Sequence, residues 1–194
     1  MNRMPKLSQC LGAVIGCFLG TAALAEPIDW KTVRGWDISF YPASEGCQAF
    51  ALFEEDTAFF IGFDNTENEL SLDVTLLDQK WRSIEAGKEY KIEVKFGDES
   101  PWTMDMDMDG LNTDDYPGLG IMIDAGSDQA KLFIDEFQRE NSMKWSFKSN
   151  VLGHYTLRGS RAAFNEVIAC QRSYMRAQSS SDPFAQSSSD PFAD

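Results

Sequence analysis

Tyr90-Lys91-Ile92-Glu93-Val94-Lys95-Phe96 alternates apolar and charged side chains at every step, the two-residue period of a strand with one face in a core and the other in water. The same alternation runs through Trp36-Asp37-Ile38-Ser39-Phe40 and, after the polar turn at 64–68, through Leu70, Leu72, Val74 and Leu76. Segments 47–53 and 57–63 are strand-length runs bounded by Gly and charged turns, and 143–147 and 154–157 are strand-like as well.

Two segments change the period. Ala130, Phe133, Ile134 and Phe137 fall at i, i+3, i+4 and i+7, with Ser127 or Asp128 as the N-cap. Gly159-Ser160 opens a second helix whose Ala163, Phe164, Val167, Ile168 and Cys170 share one face. These patterns predict a mainly β fold, a β-sandwich or half-barrel of eight or nine mostly antiparallel strands. Two short helices, the second C-terminal, lay their apolar faces on the sheet.

The two ends of the chain have different compositions. Arg3 and Lys6 precede an apolar run at 11–24, and Ala23-Leu24-Ala25 stands before Glu26-Pro27, the order of a secretory signal cleaved after Ala25. The run is too short for a membrane span. Val14-Ile15-Gly16-Cys17 supplies an alternative, a lipobox that would make Cys17 a lipidated N-terminus, although residues 18–25 stay apolar where a lipoprotein turns polar. Either way the expected location is periplasmic or secreted.

Residues 26–177 have no Pro- or Ser-rich linker and read as one β-rich domain. Beyond them, Gln178 to Ala185 (QSSSDPFA) recurs unchanged as Gln186 to Ala193, a composition that cannot bury a core and predicts a disordered tail at 178–194. Phe184 and Phe192 stand at the same place in each copy, as two linked docking anchors would, and a tandem duplication of a neutral tail explains the same letters.

With 17 basic and 31 acidic residues the chain carries −14, and losing Arg3 and Lys6 with the signal takes it to −16. That charge repels nucleic acid and anionic lipid surfaces and suits cations or a basic partner surface. Cys10 and Cys17 leave with the signal, so Cys47 and Cys170 form the expected disulfide of an oxidising compartment, worth on the order of 4 kcal/mol for so long a loop.

Trp102-Thr103-Met104-Asp105-Met106-Asp107-Met108-Asp109-Gly110 supports three readings. As a strand it turns the methionines inward and the aspartates outward. As a calcium loop, Asp105, Asp107 and Asp109 open a D-x-D-x-D-G motif, but its twelfth position is Tyr116 where a bidentate Glu is expected. As a copper(I) site, Met104, Met106 and Met108 would supply thioethers. On a straight strand successive outward carboxylates are about 6.6 Å apart, so strand and calcium loop exclude each other. His154 is the sole histidine, no nucleophile-elbow sequence is present, and no carboxylate pair is marked out for hydrolysis.

Leu157-Arg158-Gly159-Ser160-Arg161-Ala162-Ala163-Phe164, a strand end, a Gly turn and an Ala-Ala helix start, resembles the C-terminal end of the invasion-associated locus B family of exported proteobacterial proteins. More broadly the chain is similar to small exported proteobacterial β-rich proteins of uncharacterised type. The resemblance implies an exported β-rich fold in the envelope and brings no site residues with it. The expected function is a non-enzymatic binding or interaction protein of the bacterial envelope, engaging another envelope protein through exposed aromatics and the acidic surface. A calcium-binding domain and a carboxylate-dependent hydrolase are the alternatives.

Overall fold

The computed structural model describes residues 26–53, 57–67, 69–108 and 117–181. Cys17, Asp109, Phe184 and Phe192, and the signal reading of residues 1–25, lie outside them. Ten strands and two helices follow in the order β1 (Ile28–Val33), β2 (Trp36–Tyr41), β3 (Gly46–Leu52), β4 (Ala58–Asp64), β5 (Ser71–Leu77), β6 (Tyr90–Phe96), β7 (Trp102–Met108), β8 (Gly118–Asp124), α1 (Asp128–Arg139), β9 (Ser142–Phe147), β10 (Asn150–Thr156) and α2 (Ser160–Ser181). The fold is mainly β with two helices, the second C-terminal, as the periodicities predict.

All ten strands belong to one antiparallel sheet in the order β1-β2-β3-β4-β5-β8-β7-β6-β9-β10. β1 to β5 form a meander. The 78–89 connection then carries the chain past two strand positions, and β6, β7 and β8 fold back until β8 pairs with β5. The sheet stays open but curls strongly, because residues far apart in the strand order meet across its concave face. Phe59 of β4 packs on Trp145 of β9 at 6.1 Å, and Phe53 stacks on Tyr155 of β10 at 4.6 Å. This is a half-barrel.

Ten strands exceed the expected eight or nine, and β1 and β8 are the ones that periodicity does not mark. In β1 five of six residues are exposed, so no core imposes a period on Ile28–Val33. In β8, Gly118 and Gly120 are buried on the face opposite Leu119 and put no polar side chain there, so the alternation is lost.

The helices fill one end of the half-barrel. Ser127, not Asp128, caps α1, its side chain accepting from the Ala130 amide at 3.1 Å. From α1, Phe133 meets Phe96 and Trp102 at 5.0 and 5.5 Å, and Phe137 meets Trp36 at 5.5 Å and Phe164 of α2 at 6.2 Å. Cys47 of β3 is disulfide-bonded to Cys170 of α2, with Cα atoms 6.0 Å apart across 123 residues of sequence. Beside the bridge, Gln171 Oε1 accepts from the Cys47 amide at 2.8 Å, and its Nε2 donates to Glu45 O at 3.3 Å. The helix continues to Ser181, so the first four residues of the repeated tail, 178–181, extend α2 where the composition predicts disorder. Among the described residues no helix is long and apolar enough to cross a membrane.

Candidate functional site

β6 runs the depth of the half-barrel. Its Phe96 touches α1 at the plugged end, whereas Tyr90, six residues and about 20 Å away, stands at the other end, which is open. That mouth is a cavity of about 170 Å³ lined by Trp81, Ser83, Ile84, Tyr90, Ile92, Leu119, Phe147 and Leu152. Leu76, Met106 and Trp145 close its floor. An apolar concavity at the mouth of a barrel, edged by a few polar groups, is a common form of small-ligand site.

Four strands and one connection build it. Ile92 pairs with Phe147 across β6 and β9, and the Tyr90 and Phe147 rings meet edge to face at 5.7 Å. Leu119 enters from β8 and Leu152 from β10, at the β-bulge between Val151 and Gly153. Trp81 and Ile84 come from the 78–89 connection, which winds through successive turns, Trp81 N to Asp78 O at 3.1 Å and Ile84 N to Trp81 O at 3.3 Å. Buried Asp78 holds its start, accepting from Thr57 Oγ1 at 2.9 Å and from the Lys80 amide at 2.8 Å. The Tyr90 hydroxyl holds its end, accepting from the Glu85 amide at 2.9 Å and donating to Ser83 O at 3.5 Å. Tyr90 thus lines the cavity and fixes the segment that roofs it.

Two lysines lie against the aromatic rings at the edge, outside the lining of the mouth itself. Lys148 Nζ sits 5.0 Å from the Phe147 ring and Lys88 Nζ 5.8 Å from the Tyr90 ring. Lys88 also pairs with Glu85 at 3.0 Å, and that hydrogen bond, with the Glu85 charge, raises its pKa. Lys148 makes no ion pair among the described residues.

Next to the mouth lies a wider exposed shelf of about 730 Å³ on the outer face of β6, which shares Ser83, Tyr90 and Phe147 with it and carries Glu85, Glu89, Glu93, Lys88, Lys91 and Lys148. No carboxylate lines the mouth among the described residues; those nearest are the solvent-exposed ones of the shelf.

Segment 102–108 is the strand β7, with Met104 and Met106 buried, Met108 half-buried, and Asp105 and Asp107 exposed. The two buried thioethers are core packing. Asp105 accepts from Lys91 Nζ at 2.9 Å, a contact that raises the lysine's pKa, and the extended backbone spaces Asp105 and Asp107 by about 6.6 Å. The third member of the calcium set, Asp109, is outside the described residues, among which no group of three or more His, Cys, Asp or Glu side chains is placed to hold a metal.

His154 is exposed on the edge strand β10, and its ring makes no hydrogen bond among the described residues. Of the sequence-predicted site residues the structure brings Cys47 and Cys170 together. The mouth residues escaped the sequence reading. The only local signal was Trp81 and Ile84 within a polar connection, apolar residues with no period to account for them.

No protein-family model, curated protein or solved structure matches the chain.

Proposed function

We propose that this chain is an exported, non-enzymatic binding protein of the bacterial envelope that takes an apolar group into the mouth of its half-barrel. The observation that carries the reading is the open, aromatic-lined cavity of about 170 Å³, held in shape by Asp78 and Tyr90 and free of carboxylates among the described residues. Export is supported by the signal-like residues 1–25 and by the Cys47–Cys170 bridge. A cavity of this size suits a single ring or short branched chain, below the 300 to 1,000 Å³ or so of sites for drug-sized molecules.

A ligand that binds only the folded state raises the melting temperature. Toluene is therefore expected to raise the Tm of residues 26–194, and to leave unchanged the Tm of Ile84→Trp, whose indole fills the cavity. Equal responses from the two proteins would sink the reading.

A further inference from the structure

We infer that the apolar group is a phenyl ring of this chain's own tail, Phe184, delivered to the mouth of a second copy, so that copies link tail to mouth. The inference rests on the reading of the mouth as a binding site and names its occupant. Size comes first: a cavity of about 150 Å³ takes up benzene, and the mouth measures about 170 Å³. The tail presents such a ring twice, eight residues apart, as the single large apolar side chain of each QSSSDPFA copy. Each ring is preceded by Pro183 or Pro191, whose fixed φ reduces the entropy lost when an extended segment is held.

Charge complements the fit. Asp182 and Asp190 stand two residues before the rings, and Lys148, which forms no ion pair among the described residues, sits over Phe147 on the shelf beside the mouth, where Glu85, Glu89 and Glu93 also lie. A docked ring thus places an aspartate within reach of an available amine.

Reach selects a second copy. The mouth's Leu119 belongs to a cross-strand row through Leu76, Phe59 and Ala51, and Cys47 lies four residues further along β3, about 13 Å from that row. α2 enters beside Trp36, whose Nε1 donates to Arg158 O. It passes Cys47 and Phe40 and ends at Ser181, eleven residues and about 16 Å beyond Cys170. Phe184 follows three residues later, about 10 Å of fully extended chain, which cannot return to its own mouth. Phe192, eleven residues and up to about 38 Å of extended chain past Ser181, is far enough along the tail to do so, and the selection of a second copy therefore holds for Phe184.

The test compares residues 26–194 with the Phe184→Ser/Phe192→Ser double variant by sedimentation velocity, and titrates the double variant with the octapeptide QSSSDPFA and, separately, with toluene. The expected result is association of the parent that weakens at least tenfold in the double variant, and peptide binding to the double variant that Ile84→Trp abolishes and Lys148→Glu weakens. Toluene binding without peptide binding would overturn the inference and leave the mouth reading intact. Failure of both probes would remove both. Association that survives in the double variant, or a monomeric parent whose mouth is closed to peptide by its own tail, would also overturn it.

Discussion

Gln48 reaches over its cross-strand neighbour to the next strand but one. Gly62 lies between Gln48 and Asp73 in the ladder, and Gln48 Nε2 donates to Asp73 Oδ2 at 2.6 Å across the space where a side chain would stand. A Cβ at Gly62 would run into the Cys47 carbonyl and the Gln48 backbone. Gly62→Ala is therefore expected to lower stability by about 2 to 3 kcal/mol in urea unfolding, through overpacking and loss of a buried hydrogen bond. Tyr41 gives a second test at this scale. Burial, followed by the Asp37 and Asp29 charges, pushes its phenol up to about 12 from 10.0. Because the folded-state value is raised, this contribution to stability is intact below pH 10 and is lost as pH rises toward 12. A phenolate absorbance titration should show one late-ionising tyrosine that disappears in Tyr41→Phe.

β1 shows what holds an element that has almost no buried face. Its clamp is Glu166 of α2, which accepts from Lys31 Nζ at 2.7 Å and from Trp30 Nε1 at 3.3 Å. The Lys31 contact, then the indole, holds the carboxyl below its usual 4.5. A depressed folded-state pKa stabilises above the ordinary carboxylate range, and that stabilisation is lost as pH falls through the lowered value. The protection of the β1 amides against hydrogen exchange, relative to their intrinsic rates, should fall in acid below pH 4.5, and Glu166→Gln should show the lower protection already at neutral pH, while β5 stays protected in both. The same contrast explains which elements were legible. β2, β5, β6 and β7 each set one face against the core, so their letters alternate. β1 lacks a core face, and the glycines of β8 put no polar side chain on the face opposite Leu119. The disulfide was legible because only two cysteines follow the signal-like segment. The mouth was not, because Tyr90, Leu119, Phe147 and Leu152 sit on four strands that only the β5-β8-β7-β6-β9-β10 order brings together.

For the molecule as a whole, the bridge from β3 to α2 ties the C-terminal helix to the first half of the sheet. Replacing both Cys47 and Cys170 by Ala is expected to lower stability by about 4 kcal/mol in urea unfolding, with the loss confined largely to the effect on the unfolded chain. Calcium at millimolar concentration should leave the Tm unchanged, since β7 is extended and Asp105 is engaged with Lys91; a rise reversed by chelator would restore the loop reading of 105–109. The separation of the two cysteines also has a consequence in time. At ribosomal rates of about 5 to 20 residues per second, Cys170 is made roughly 6 to 25 s after Cys47, which until then has no partner among the described residues. Oxidation to this pairing therefore cannot guide the early strands and instead marks a chain whose last helix has arrived.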